Sequence, residues 1–187
     1  MSRLTEDRLA ELYSGTLRMV AEHGFDKLTM DQIAEETKSS KATLYRQWGS
    51  KVGLVVESMR CMGNQGVELP DTGSLRGDLA EIHAREHDNE PEAALVTAIM
   101  HAMKQNDELA EAVRTEILEP GKARIESIIQ RAVDRGEIAP DNPALPYVDL
   151  LFMAPVILRP IIHGGEVDHD YVVGFHESVL LPALGIH

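Results

Sequence analysis

The chain has 187 residues, of which 43% are hydrophobic and 26% are charged, and its formal net charge is −13. This balance excludes a disordered protein, because it supplies enough apolar surface for a globular core. Aromatic residues make up only 4% of the chain and alternating β-branched runs are scarce, which disfavours a β-sheet protein. The single cysteine cannot form an intramolecular disulfide and no secretion signal opens the sequence, so we expect a cytoplasmic protein.

The negative charge is concentrated after residue 60. Residues 1–60 contain nine basic and nine acidic residues, whereas residues 61–187 contain nine basic and 22 acidic residues. Within the balanced part, residues 37–56 carry four basic residues and no carboxylate. Because salt screens charges beyond about 8 Å, such a segment can attract phosphate in an otherwise acidic protein. A chance gap between acids on a solvated surface is the alternative interpretation if charge alone is considered.

Two helices are predicted before residue 37. Apolar residues recur at helical spacing from Leu9 to Ala21, and Gly24 is a common type of helix terminator. Thr29 and Gln32 have the spacing of a capping box, which predicts that a second helix begins at Met30. A long helix followed by a short one is therefore expected at the start of the chain.

A third helix is predicted over the segment "KATLYRQW", residues 41–48. The preceding polar residues form a break, and the hydroxyl of Ser39 or Ser40 can cap the helix. Gly49 ends it, and Ser50 can cap a fourth helix that begins at Lys51. A short helix, a short turn and a second short helix, supported by a longer one, make a helix-turn-helix.

The third helix has one apolar side and one polar side. Leu44 and Trp48 lie four residues apart, where they would anchor the helix to the bundle. The outward side can enter a DNA major groove about 12 Å wide, and it is formed by Lys41, Ala42, Thr43, Tyr45 and Arg46. The hydroxyls of Thr43 and Tyr45 have the length to donate to phosphates, and Lys51 would add a cation at the start of the next helix.

The segment "LTMDQIAEE…SSKATLYRQWGSKVGLV" resembles the DNA-binding segment of the tetracycline-repressor (TetR) family of bacterial transcriptional regulators. The chain departs from the family pattern at residues 37–39, where members have a turn of small residues, and at Trp48, where members usually have Phe. The resemblance implies a DNA-binding regulator. The predicted DNA-contacting residues are Ser40, Lys41, Ala42 and Arg46 in the groove, Thr29, Thr43, Tyr45 and Lys51 on phosphate, and Ser39 beside them.

The remainder of the chain is also predicted to be helical. The fold class expected is therefore all-α, with an N-terminal three-helix helix-turn-helix domain at residues 1–50. A C-terminal helical domain for ligand binding and dimerisation would follow at residues 51–187. Pro, Gly, Asp and Asn signals separate the further helices, which are expected at 75–87, 92–105, 107–135, 143–163 and 169–183.

The last two predicted helices carry more apolar surface than one core can bury. We expect the same pair of helices in a second copy to cover this surface and so to form a homodimer. The segments "RAVDRGEI", "APVILRPIIHGGEVDHDYV" and "VLLPAL" resemble a C-terminal domain of one branch of the TetR family, in which the last two long helices form the dimer. The interface residues predicted are Leu151, Val156, Arg159, Phe175 and Val179.

The TetR resemblance also implies a small-molecule pocket in the second domain, for which an apolar effector is expected. The candidate lining residues are Met59, Met62, Ile99, Met100, Met103, Ile117 and Met153. Methionines at helical spacing are more often ordinary core residues, which is the alternative interpretation. His83 and His87, four residues apart, have a spacing found in metal sites, but exposed histidines on a polar helix explain them better. No metal and no cofactor are therefore expected.

The function predicted is that of a repressor which binds a palindromic DNA operator as a homodimer and is released by a small molecule. A dimeric helical binding protein and an activator are the alternatives. An enzyme is disfavoured because the sequence has neither a Gly-rich phosphate loop nor a nucleophile-elbow motif. No membrane partner is expected, since the apolar run Leu150–Ile162 is short and is interrupted by Pro155, Arg159 and Pro160.

Overall fold

The structure is a computed structural model that describes residues 5–63, 68–86, 93–164 and 169–187. Within these ranges every regular element is helical, so the all-α prediction is confirmed. The helices are α1 (Glu6–His23), α2 (Met30–Glu36), α3 (Lys41–Trp48), α4 (Lys51–Met62), α5 (Leu75–Glu86), α6 (Ala93–Met103), α7 (Asp107–Val113), α8 (Glu119–Asp134), α9 (Val148–His163), α10 (His169–Phe175) and α11 (Leu181–Ala183). Two π-helical turns, Arg114–Leu118 and His176–Leu180, and a 3-10 turn, Leu145–Tyr147, complete the described elements.

The helices predicted from the sequence agree closely with those of the structure. Those expected at 107–135, 143–163 and 169–183 each begin and end within about two residues of a helical stretch in the structure. The predicted ends at residues 87 and 92 lie outside the described residues. Helical periodicity in the sequence therefore predicts these helices, but it does not predict the two π-helical turns.

The chain divides into two units. The first contains residues 1–65 and 94–119, and the second contains residues 66–93 and 120–187. This division differs from the boundary predicted at residue 50, because α4, α6 and α7 belong to the first unit. The predicted boundary separated DNA-binding residues from effector-binding residues, and this functional division stays a prediction.

The first unit is built on one apolar core. Leu12, Ile33, Leu44 and Leu54 are fully buried, one each from α1, α2, α3 and α4. Ile99 from α6 packs into the same core. Because burial of a leucine or isoleucine side chain contributes about 1.5–3 kcal/mol, the short helices α2 and α3 are held by this core more than by their own helix propensity.

In the second unit a buried carboxylate joins the start of α5 to the end of α8. Asp78 is 0% exposed and accepts hydrogen bonds from the backbone nitrogen and the hydroxyl of Thr72, at 2.6 and 2.9 Å. Arg135 and Arg131 approach the same carboxylate at 3.3 and 3.6 Å. Burial by itself raises the pKa of Asp78, but the bonds from Thr72 and the two arginines outweigh it and lower the pKa. The network fixes α5 against α8.

Helix α9 has an exposed apolar face. Its exposed fractions are 66% for Leu150, 48% for Leu158, 51% for Ile161 and 66% for Ile162. The stretch Leu145–His163 has a mean hydropathy of 1.6 in its most apolar window and only 12% of that window is buried. By length and composition alone this stretch could cross a membrane, a possibility that the interrupted apolar run had disfavoured. An exposed apolar face of this kind is typical of a surface that contacts lipid or another protein.

Candidate nucleic-acid interface

Side-chain caps fix the starts of α2 and α3. The backbone nitrogen of Gln32 donates to the hydroxyl of Thr29 at 3.3 Å, and the backbone nitrogen of Thr29 donates to Oε1 of Gln32 at 2.9 Å, which is the predicted capping box. At α3, the backbone nitrogen of Thr43 donates to Oγ of Ser40 at 3.1 Å, so Ser40 is the cap that the sequence left open. The two hydroxyls of Ser40 and Thr43 lie 2.7 Å apart. The hydroxyls of Thr29, Ser40 and Thr43 therefore all have partners inside the protein.

The turn between α2 and α3 is closed without a glycine. Lys38 adopts a φ of +49°, in the left-handed region that favours glycine, and this conformation costs a lysine roughly 1–2 kcal/mol. The backbone nitrogen of Ser39 donates to the carbonyl of Ala34 at 2.8 Å, and the guanidinium of Arg8 donates to the carbonyl of Thr37. Ser39 itself is half-buried and its hydroxyl donates to Thr37. These bonds hold the strained turn and set the direction of α3.

Helix α3 is anchored by the two residues that the sequence predicted. Leu44 is 0% exposed within the first core. The half-buried ring of Trp48 packs edge-on against Tyr13 of α1, with 6.0 Å between the ring centroids. Because these side chains fix one side of the helix, the opposite side faces solvent.

The outward side of α3 carries exposed cationic and aromatic side chains. Ala42, Tyr45 and Arg46 are exposed, and Tyr45 has an exposed fraction of 45%. Within the described part of the chain, Arg46 makes no ion pair. A free guanidinium beside a phenol hydroxyl is suited to a base edge next to a phosphate.

Lys41 is paired, although its own stretch of sequence has no acid. Its Nζ lies 2.6 and 2.9 Å from the two carboxylate oxygens of Asp31, on α2. The hydrogen bond to Asp31 and its negative charge raise the pKa of Lys41. Since both side chains are exposed, the pair is weak, and a phosphate or a base acceptor can replace Asp31 as the partner of Lys41.

The ammonium group of Lys51 is used inside the first unit. Its Nζ donates to the carbonyls of Phe25 and Leu28, both at 2.7 Å, and lies 4.1 Å from the centroid of the Phe25 ring. Burial lowers the pKa of Lys51, against the opposing charge of Asp26. The geometry therefore gives this side chain the role of closing the loop between α1 and α2, whereas the sequence had predicted a phosphate contact.

The residues predicted to line an effector pocket do not have one common environment. All except Met153 lie in the first unit. There Ile99 is buried in the core, Met59, Met103 and Ile117 pack against it, and Met62 is 37% exposed. The geometry favours a packing role for these residues. This agrees with the alternative interpretation of the methionine spacing, in which the methionines are ordinary core residues. Met100 and Met153 are half-buried.

The residues predicted for the dimer interface lie beside the exposed face of α9 more than on it. Leu151 packs against the second core, so the exposed position is its neighbour Leu150. Val156 and Phe175 are half-buried, and the guanidinium of Arg159 lies 4.0 Å from the ring centroid of Tyr171. Val179 is 39% exposed and remains a surface residue. The exposed apolar positions of α9 are therefore neighbours of the residues predicted, and the dimer interface itself stays a prediction.

The second unit contains a cluster of histidines that sequence reasoning missed. His83 and His176 are 6% and 2% exposed, so the prediction that His83 is an exposed surface residue is wrong. The ring of His169 lies edge-on to His83, with 5.9 Å between centroids. A signal was present, because His169 and His176 are seven residues apart, which places them on one face of a helix. His87 lies outside the described residues, and the described residues contain no group of three side chains that could hold a metal ion.

Family models match both parts of the chain. The model for bacterial regulatory proteins of the tetR family matches residues 12–57, and the model for the tetracyclin repressor-like C-terminal domain matches residues 69–179. The first match contains α2 and α3 and the cap, turn and anchor residues around them. The second contains the histidine cluster and helix α9.

Similar proteins agree with these matches. The HTH-type transcriptional regulator Rv1556 of Mycobacterium tuberculosis is 36% identical over 180 residues, which are 95% of this chain and 88% of that protein. A DNA-binding transcriptional repressor TetR of Mycobacteroides abscessus is 28% identical over 183 residues, 94% of this chain and 93% of that protein. The structure of Salmonella enterica GusR has the same fold, with a TM-score of 0.73 and 20% identity over 98% of this chain and 100% of that one.

The anchored helix-turn-helix and the full-length matches define a class of DNA-binding transcriptional regulators. The chain belongs to the TetR family. This is a family of regulators and not of enzymes.

Replacement of Lys51 by methionine is expected to lower the free energy of unfolding by about 2 kcal/mol, because two charge-assisted hydrogen bonds to partly buried carbonyls are lost. Denaturant unfolding at a fixed protomer concentration measures the change. Lys27→Met, which removes an exposed lysine from the same loop, is the matched control and should change the value by less than about 0.5 kcal/mol. Unchanged stability of Lys51→Met together with weaker DNA binding would instead restore Lys51 as a phosphate contact.

Proposed function

We propose that this chain is the subunit of a homodimeric, cytoplasmic repressor that binds a palindromic operator and releases it when a small molecule binds the second unit. The observation that carries the proposal is the anchoring of α3, which leaves Ala42, Tyr45 and Arg46 exposed on one side. A regulator that reads DNA through one short helix gains little specificity from a single half-site. A two-fold dimer supplies the second helix.

DNA contact through α3 is supported by the charges around it. Arg46 makes no ion pair among the described residues, and the carboxylate that pairs with Lys41, that of Asp31, is exposed. Both cations can reach base edges, where an arginine or a lysine donates hydrogen bonds to the O6 and N7 acceptors of guanine. Ser40 and Ala42 are proposed to face the groove beside them. The hydroxyls of Tyr45 and Thr43, together with that of Thr29 at the start of α2, are proposed to approach the flanking phosphates.

The exposed face of α9 supports dimerisation. A monomer that leaves Leu150, Leu158, Ile161 and Ile162 in water would be prone to association. A second copy of α9 about a two-fold axis covers this face with the same apolar residues. We therefore propose that Leu158 and its neighbours form the centre of the interface, with Val179 at its edge, and that the apolar character of this helix serves dimerisation and not a membrane.

Repression is supported by the relative from Mycobacteroides abscessus, which is named as a DNA-binding transcriptional repressor. A repressor needs a signal that removes it from DNA, and a pocket in the unit that does not read DNA can receive that signal. We infer from the family that the signal is a small molecule and that the protein itself has no catalytic role.

Arg46→Ala is expected to weaken binding to the preferred operator by about 1–3 kcal/mol and to relax the base preference at one position of each half-site, because a bidentate base contact is lost. The operator is selected from a random duplex library, and gel shifts on it and on its single-base variants measure the effect. Tyr45→Ala should weaken all duplexes about equally, since its proposed contact is to phosphate.

Arg114→Ala removes an exposed arginine from a different helix of the same unit and is the control for the change in net charge. It should leave both affinity and base preference unchanged. An Arg46→Ala protein that retains the base preference of the wild type would remove Arg46 from the groove. A Tyr45→Ala protein that changes only the base preference would reverse the two proposed roles.

Leu158→Asp is expected to convert the dimer to a monomer at micromolar concentration, because it places a charge in the centre of an apolar interface. Sedimentation velocity measures the change. Leu118→Asp, at a leucine of similar exposure in the first unit, is the matched control and should remain dimeric. A wild-type protein that sediments as a monomer, or a Leu158→Asp protein that stays dimeric, would rule out this face as the interface.

A further inference from the structure

The second unit contains a pocket of about 250 Å³ between α5 and α10. Most of its lining is apolar and includes Leu79, Ala80, Ala84 and Val173, and the polar lining comes from the histidine cluster and Glu177. An apolar cavity of about 150 Å³ accommodates benzene, so this one has room for a molecule of one or two rings.

His176 is held in one orientation. It begins the π-helical turn His176–Leu180, a type of distortion that is frequent at functional sites. Its Nε2 lies 3.0 Å from the carbonyl oxygen of Phe152, and the ring of Phe152 stacks on the imidazole with 4.6 Å between centroids. A carbonyl can only accept a hydrogen bond, so Nε2 of His176 carries the proton.

The tautomer of His176 determines that of His83. Burial lowers the pKa of His176, and burial together with the neighbouring His176 and His169 lowers the pKa of His83 to about 4, so both rings are neutral at pH 7. With its proton on Nε2, His176 has an acceptor at Nδ1, which lies 3.0 Å from Nε2 of His83. Nε2 of His83 must therefore donate, and Nδ1 of His83 keeps a lone pair. Among the described residues no donor reaches that nitrogen.

We propose that this pocket is the effector site and that it takes a neutral, one- or two-ring molecule whose hydroxyl donates a hydrogen bond to Nδ1 of His83. The assignment rests on the proposed function, because it supplies the ligand that a ligand-released repressor requires. The apolar lining selects an apolar body, and the acceptor at Nδ1 of His83 selects a hydroxyl or N–H group on it. An anionic effector is disfavoured, since the lone pair of His83 repels negative charge, and the carboxylate of Glu177 is paired with Arg76 at 2.7 Å and adds no free cation to the pocket.

In this site His176 is a positioning residue. It contacts His83 and the carbonyl of Phe152, and through them it fixes which nitrogen of His83 accepts. The hydrogen-bonded chain also joins α5, α9 and the π-helical turn, so occupancy of the pocket acts on three elements of the second unit at once.

Three bicyclic probes of equal ring size test the proposal on the wild-type dimer by calorimetry at pH 7.5. 2-Naphthol can donate a hydrogen bond, whereas 2-methoxynaphthalene and naphthalene cannot. We expect 2-naphthol to bind about tenfold more tightly than either of the others, as one buried hydrogen bond requires. In protein with ¹⁵N-labelled histidine, Nδ1 of His83 should resonate as an unprotonated nitrogen and shift when 2-naphthol is added.

His83→Phe keeps a ring of similar shape but removes the acceptor, so the tenfold preference for 2-naphthol should disappear. His187→Phe, at an exposed histidine of the same unit, is the matched control and should keep the preference. If His83→Phe does not fold, the comparison of the three probes on the wild-type protein still tests whether the pocket prefers a hydrogen-bond donor. Equal binding of the three probes, no binding of 2-naphthol up to its solubility, or a protonated Nδ1 would each overturn the proposal.

Gel shifts on the selected operator separate this proposal from the proposed function. Loss of the tenfold preference in a protein that binds its operator would overturn the pocket assignment and leave the regulator intact. A protein that prefers 2-naphthol tenfold but binds no DNA would support the pocket assignment and contradict the proposed repressor.

Discussion

Burial of Leu44 in the first core is the constraint on which recognition by this chain depends. The eight residues of α3 are too few to form a stable helix in water by themselves, so their order comes from packing. Leu44 and Trp48 fix the side that faces α1 and α4, and the cap at Ser40 fixes where the helix begins. Only then do Arg46 and Tyr45 have a defined direction. The left-handed conformation of Lys38 in the preceding turn is unfavourable, and packing of the surrounding core stabilises it.

Charged residues have different roles in residues 1–60 and in residues 61–187. The net charge of residues 61–187 equals that of the whole chain, so the excess of acidic residues lies outside the helix-turn-helix, where it disfavours contact with DNA. The first sixty residues are neutral in sum, and the exposed ion pair of Lys41 with Asp31 is one in which a phosphate can replace the carboxylate. Lys51 neither attracts nor repels DNA in this account, because its ammonium group stabilises the loop between α1 and α2.

The fold could be predicted almost completely from the sequence, and the candidate site only in part. Helical periodicity, the capping box at Thr29 and the apolar pair Leu44 and Trp48 are local patterns, and the structure confirms each of them. The partners of Lys41 and Lys51 come from residues ten or more positions away, and spacing along the chain does not reveal them. The histidine cluster combines α5 with the π-helical turn at His176, a contact 93 residues apart in sequence. Only the folded chain brings such groups together.

The central claim is that one dimer carries two copies of α3, which bind the two half-sites of the operator. Hydroxyl-radical footprinting of the full-length protein on its selected operator tests this claim most directly. The proposed arrangement predicts two protected patches related by a two-fold axis, with centres one helical turn of DNA, about 34 Å, or a whole multiple of it apart. One continuous or single patch, or protection without two-fold symmetry, would contradict it.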